Sequence, residues 1–168
     1  MNPAYTVLKQ KINNYKKRNL QTQVPFPFWG NIIQVIELTK FKFREYFTVF
    51  GFGAVIYSLV EVVTRGYTHW TMTITGGVAF LLIYLININM KTNSLILRCL
   101  VGCVVITAIE FTVGMIVNRG LHMNVWDYSD EKYNLFGQIC PLFSFMWFLI
   151  CIPGTALSFM LKKALRQK

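Results

Sequence analysis

The sequence predicts an all-α fold, a polytopic integral membrane bundle of four transmembrane helices with an interfacial amphipathic helix at its N-terminal side. Two observations carry this expectation. Of the 168 residues, 54% are hydrophobic and only 14% charged, which leaves too little polar side chain to cover a soluble domain. Four apolar stretches, residues 46–64, 71–88, 95–117 and 139–160, are also long enough to cross about 30 Å of hydrocarbon at about 1.5 Å per residue. If they were buried helices of a soluble protein, almost nothing would remain to face water. The chain therefore divides into a cytoplasmic basic and interfacial segment (residues 1–42), a transmembrane domain (43–161) and a basic cytoplasmic tail (162–168).

Residues 1–20 are polar and basic, include Asn13-Asn14, and lack the short apolar core and small-residue cleavage site of a signal peptide, so they are expected to be retained. After the Pro25-Phe26-Pro27-Phe28 break, Trp29, Ile32, Ile33, Ile36 and Phe43 fall largely on one side of a helix, with Asn31, Gln34 and Glu37 opposite. That pattern suits a helix lying in the cytoplasmic leaflet, anchored at headgroup level by Trp29 and the lysines. Of the 17 basic residues, all but Arg65, Arg119 and Lys132 lie before the first span, around the second connection or after the fourth span. The bias places both termini in the cytoplasm of a multi-pass cell-membrane protein, with the first and third loops outside. Topology and anionic lipid then explain the net charge of +10 without nucleic acid as a partner.

The spans are not uniformly apolar. The first ends Glu61-x-x-x-Arg65-Gly66-x-x-His69-Trp70; the third carries Glu110, followed by Arg119-Gly120-x-His122 and Trp126. Glycine follows early in each partner segment, at Gly76-Gly77 and Gly137, so the halves echo one another as a parallel two-helix repeat would. Glu61 and Arg65 are four apart and share a helix face, in the favourable order for a pair. Glu110 lies about eight residues, roughly 12 Å, below the outer end of its helix. An ionisable group at bilayer depth costs about 2.5–3.5 kcal/mol on insertion scales, so it needs a partner or a proton. Arg65, Arg119, His69 and His122 are the candidate partners.

The third loop adds Asp127, Tyr128, Ser129, Asp130 and Asn134 near the level of Arg119 and His122, with Asp127 expected to fold back toward Arg65 or Arg119. The candidate ligand-binding cluster is therefore Glu61, Arg65, His69, Glu110, Arg119, His122, Trp126, Asp127, Tyr128, Ser129 and Asn134. No His-x-x-x-His or Glu-x-x-His spacing supports a metal. Cys99, Cys103, Cys140 and Cys151 form no Cys-x-x-Cys pair and read as packing residues. With no Gly-x-x-x-x-Gly-Lys loop to cradle phosphates, no cofactor is expected, and an ATP-driven role would need a separate subunit. In the fourth span, Pro141 opens the helix and Pro153-Gly154 predicts a kink.

The stretch Ile109-Glu110-Phe111 with Gly114, then Val125-Trp126-Asp127-Tyr128-Ser129, Asn134-Leu135, Gly137-Gln138-Ile139-Cys140 and Trp147, resembles the second half of the small membrane proteins of the type IV ABC-transporter, or CmpB-like, family. An orphan vertebrate transmembrane family shares the pattern, and the resemblance covers residues 45–160. In the first half, Glu61, Arg65-Gly66 and Gly76-Gly77 resemble the family's elements, whereas Thr68-His69-Trp70-Thr71-Met72 replaces the Pro-Ile-Tyr-Gly segment of many members. The resemblance implies a transporter of the permease type with a cytoplasmic ATPase partner.

Three functions are compatible with these residues. The expected one is transporter-like, with Glu61 and Glu110 handling a cation or proton and the arginines an anionic group. Four helices would then need a second copy or another partner, beside membrane lipid, to enclose a path. The alternatives are a membrane enzyme acting on a lipid or isoprenoid headgroup, with Glu110 or Asp127 as base and His69 or His122 as acid, and a noncatalytic scaffold or sensor.

Overall fold

The computed structural model describes residue 7, residues 9–14 and residues 27–166, with side chains from 39 to 165 within the last range. The amphipathic faces expected around Trp29, Ile32, Ile33 and Ile36 lie outside the described side chains. Four helices follow in order: α1 (Pro27–Arg65), α2 (Trp70–Asn89), α3 (Leu95–Gly114), extended by a π-helical turn at Met115–Gly120, and α4 (Pro141–Arg166). Each contains a stretch long and apolar enough to span a membrane: Thr39–Arg65, Trp70–Asn89, Leu95–Gly120 and Pro141–Leu165.

The helices outrun the apolar stretches because hydropathy marks only what lies in hydrocarbon, while backbone hydrogen bonding continues into the headgroup region. α1 is the clearest case. The segment expected as a separate interfacial helix is continuous with the first span, since no proline follows Pro27 to stop it. Both α1 and α4 begin on proline, a residue suited to the first helical position because its missing N–H would be unpaired there anyway.

The chain forms two compact units, Phe47–Leu161 and, taken by itself, the flanking segments up to Tyr46 and from Lys162. In the flanking unit the Arg44 guanidinium lies 5.9 Å over the Phe41 ring. Within Phe47–Leu161, large apolar side chains point outward from all four helices, among them Val63, Val78, Val104 and Phe145. Such a surface would be untenable in water and is the ordinary one in lipid, where association depends on close packing and polar contacts rather than on hydrophobic burial.

That packing is visible between α1 and α2. A methyl at Gly76 would overlap the Tyr57 side chain, so glycine lets the helices meet where Tyr57 sits, and Ser58 and Thr73 share a 2.8 Å hydroxyl hydrogen bond nearby. Ala79, Ile83, Cys99, Ile106 and Cys151 form a buried cluster joining α2, α3 and α4, with Trp147 packed against it.

At the end of the unit away from the third loop, Asn87 donates to Thr155 Oγ1 (3.3 Å) and Ser158 Oγ (3.4 Å). Arg98 donates through Nη1 to the Asn87 carbonyl (2.7 Å) and through Nη2 to those of Met90 (3.0 Å) and Thr92 (2.5 Å). The guanidinium thereby satisfies the Asn87 and Met90 carbonyls at the C-terminus of α2 and one carbonyl of the following connection, and its charge complements the helix dipole. Pro153 lies inside α4 as expected, and Ser158 donates to the Gly154 carbonyl (2.7 Å) one turn later.

Candidate polar site at the third-loop end

Asn118, in the π-helical turn that closes α3, organises the third loop. The wider turn leaves Val117 and Asn118 buried and Arg119 exposed. Asn118 Oδ1 accepts from the Val125 amide (2.8 Å), and Nδ2 donates to the Trp126 carbonyl (2.9 Å) and to Gln138 Oε1 (2.8 Å). The Trp126 indole donates to the Gln138 carbonyl (3.1 Å). The loop is therefore pinned to the helix end, with Val125 and Trp126 in a buried cluster beside Met72 and Val117.

Beyond Trp126 the chain folds into a narrow hairpin. The Tyr128 amide donates to the Gly137 carbonyl (2.8 Å), and Leu135 pairs with Ile139. Asp127 Oδ1 accepts from the Ser129 amide (2.9 Å) and hydroxyl (2.5 Å). Asn134 donates to the carbonyls of Ser129 (3.0 Å) and Glu131 (2.9 Å) and accepts from the Gly137 amide (3.0 Å). Gly137 has φ +70°, and a Cβ there would lie 2.6 Å from both Asp127 Oδ1 and Ser129 Oγ, so only glycine closes the hairpin. The Ser129 hydroxyl and amide, with help from the Arg119 charge, hold the Asp127 carboxyl below the usual carboxylate range.

The hairpin places Tyr128 over the bundle, its ring stacked on Phe143 at 4.3 Å. The phenol donates to Glu110 Oε1 (3.1 Å), and the Trp147 indole on α4 donates to Glu110 Oε2 (2.7 Å). Burial, then the adjacent Glu110 charge, push the Tyr128 phenol far above its ordinary pKa, so it remains a neutral donor at physiological pH. Glu110 is 4% exposed, and no cationic side chain among the described residues pairs with it.

Glu61, 6% exposed, is handled differently. Its Oε1 pairs with Arg65 Nη1 (3.0 Å), and its Oε2 accepts from the Thr68 hydroxyl (2.9 Å). Arg65 Nη2 donates to the Tyr67 hydroxyl (3.2 Å) and to the Val125 carbonyl (2.6 Å), tying the end of α1 to the third loop. Tyr57, one turn before Glu61, stacks against Trp147 at 6.0 Å and feels the charges of both Glu61 and Glu110. The two carboxylates are thereby linked through Tyr57, one turn before Glu61 on α1, and the Trp147 indole that it stacks on and that donates to Glu110.

The structure unites Glu61 with Arg65, and Glu110 with Tyr128. Trp126, Asp127, Ser129 and Asn134 build the hairpin that delivers Tyr128; Asp127 turns to Ser129 and meets neither arginine by hydrogen bond. His69 caps α2, its Nδ1 accepting from the Thr71 amide (3.4 Å) and lying 2.7 Å from the Thr71 hydroxyl. His122 is exposed with φ +54°, and Arg119 is exposed over the Phe136 ring at 5.9 Å.

Sequence reasoning missed Tyr57, Thr68, Asn118, Gln138 and Trp147 as members of the network. Tyr57 was within reach of it, standing four residues before Glu61 on the same helix face. Gln138 and Trp147 were marked only as positions of the family pattern, with no contact assigned to them; Trp147 is 37 residues from its partner. Among the described residues no group of three or more His, Cys, Asp or Glu side chains is placed to hold a metal.

Four apolar helices with a buried polar cluster at one end define a small polytopic membrane protein. The chain belongs to the family described as "Putative ABC-transporter type IV", whose model matches residues 37–166. No curated protein and no solved structure matches it.

Proposed function

We propose that the chain is a transporter-type membrane component that takes up a proton or a small monovalent cation at Glu110. The observation that carries the proposal is the asymmetry of charge: Glu61 is neutralised by Arg65, whereas among the described residues both oxygens of Glu110 accept from neutral donors. A buried carboxylate held this way has one negative charge to be matched, and a proton or cation matches it. Tyr57, on the helix of Glu61 and stacked on the indole that donates to Glu110, lies along the line of contacts between the two carboxylates.

The family supports a transport role, and the basic residues support cytoplasmic termini in a cell membrane, with the cluster on the outer side. A cytoplasmic ATPase subunit fits the family description and the missing phosphate-binding loop, and a second copy would widen so narrow a bundle. A scaffold reading also has an observation in its favour: among the described residues, no buried side-chain nitrogen or oxygen lacks a hydrogen-bond partner.

Dicyclohexylcarbodiimide, which enters bilayers and reacts with protonated carboxyls, separates the two. The protein in lipid vesicles is treated with the reagent and its carboxyl adducts are mapped by mass spectrometry. Uptake predicts an adduct on Glu110 that is suppressed by raising pH or by adding a monovalent cation, and that is absent in Glu110→Gln. A Glu110 that stays unmodified at acidic pH would refute uptake at this carboxylate and favour the scaffold.

A further inference from the structure

A second feature lies outside this cluster. A shallow open groove of about 420 Å³ lies along α3, bordered by the hairpin and by Ser144 of α4. Its polar lining is Cys103, Thr107 and Ser144. The Cys103 thiol donates to the Ser144 carbonyl (3.0 Å) and the Thr107 hydroxyl to Ser144 Oγ (3.2 Å), so these polar groups already have partners within the protein. The remaining lining is apolar and includes Phe111 from α3 with Leu135 and Ile139 from the hairpin.

The end beside the hairpin carries a charge. Phe111 meets Phe136 at 6.3 Å, and the Arg119 guanidinium lies 5.9 Å over the Phe136 ring. Arg119 is exposed and forms no ion pair among the described residues, and its neighbour Asp127 is engaged by Ser129. An apolar groove beside two spans thus leads past the tilted Phe111–Phe136 pair to a cation just beyond the end of α3.

We infer that the groove along α3 with Arg119 at its mouth is a phospholipid site, holding one acyl chain in the groove and the phosphate at Arg119. In a bilayer a concave apolar surface does not stay empty, since a void forfeits dispersion contacts on every lining atom. The satisfied polar lining suits an alkyl chain rather than a polar ligand, and the guanidinium is the group best matched to phosphate. A helix from a second copy is about 10–12 Å across with its side chains; it would enter the groove only by single side chains. The site does not depend on the chemistry proposed for Glu110.

The test is native mass spectrometry of the detergent-purified protein exposed to phosphatidylglycerol or to a diacylglycerol with the same chains. The wild-type protein is expected to retain phosphatidylglycerol about fivefold better, the ratio one arginine near a headgroup provides. Arg119→Gln should erase the preference while both lipids still bind weakly. Ala108→Phe, which fills the groove, should remove binding of both, whereas Val63→Phe, adding the same bulk at another lipid-facing position, should change nothing. Equal retention of the two lipids by the wild type, or unchanged binding in Ala108→Phe, would overturn the assignment, as would a dimer that Ala108→Phe dissociates, because a second copy would then occupy the groove.

Discussion

Replacing Trp147 by Phe keeps a ring beside Tyr57 but deletes the indole Nε1, which donates to Glu110 Oε2 at 2.7 Å. That distance is at the short end of charge-assisted hydrogen bonds, which are roughly twice as strong as neutral ones. In soluble proteins a hydrogen bond to a charged group contributes about 1.5–3 kcal/mol. Interhelical bonds in a bilayer average about 0.6 and reach about 1.7 kcal/mol, because the chain unfolded in the membrane finds other partners. The upper part of that range applies here, since Glu110 is 4% exposed and its other donor, Tyr128, is 3.1 Å away. The predicted coupling is therefore about 1.5 kcal/mol.

It is read from a double-mutant cycle of Trp147→Phe and Glu110→Leu, with reversible unfolding followed by titration of mixed micelles with denaturing detergent. Trp147→Phe should destabilise the protein by at least that coupling when Glu110 is present. In the Glu110→Leu background it should be close to neutral, because the indole N–H has already lost its acceptor. Equal destabilisation in both backgrounds would refute the hydrogen bond as the source and reduce Trp147 to a packing residue.

Asn118→Leu preserves much of the side-chain volume but deprives the Val125 amide and the Trp126 carbonyl of their partner, at about 1–3 kcal/mol for each unsatisfied buried group; hydrogen exchange should report rapid opening at Val125, and unchanged protection would contradict the pinning role. Gly137→Ala combines φ +70° with a methyl 2.6 Å from Asp127 Oδ1 and Ser129 Oγ, for which a Tm lower by about 5 °C or more is expected in detergent melts. The Asp127 carboxyl is held below its ordinary range, so its contribution is fully present above about pH 4 and is lost as pH falls through the lower folded value. The Tm difference between wild type and Asp127→Asn should stay constant from pH 8 to pH 5, taken as roughly one unit above the ordinary carboxylate pKa, and shrink on further acidification; a difference that widens in acid would reverse the sign and refute the turn.

Hydropathy alone was enough for the four spans, since a bilayer imposes a length and an apolarity that each span must meet by itself, whatever its neighbours. The pairing of Glu61 with Arg65 was legible for a similar reason, because four residues along a helix always share a face. Glu110 was legible as a group in need of partners, but not the partners themselves. The expected candidates were cations, yet the structure supplies a phenol and an indole, one brought by a hairpin and the other by α4.

His69, marked by its position after Arg65, turned out to cap α2, a local role that its place before a new helix allowed. Asp127 was expected over the bundle mouth, and its neighbour Tyr128 went there instead. Gly137 closes the hairpin so that Asp127 and Ser129 satisfy each other while Tyr128 faces inward. Sequence by itself determined the membrane class and the number of apolar helices, because these follow from local chemistry and length. Only the tertiary structure decided which carboxylate is paired with an arginine and which is held by uncharged donors, because hydrogen bonds across 18 and 37 residues exist only after the helices and the third loop have packed together.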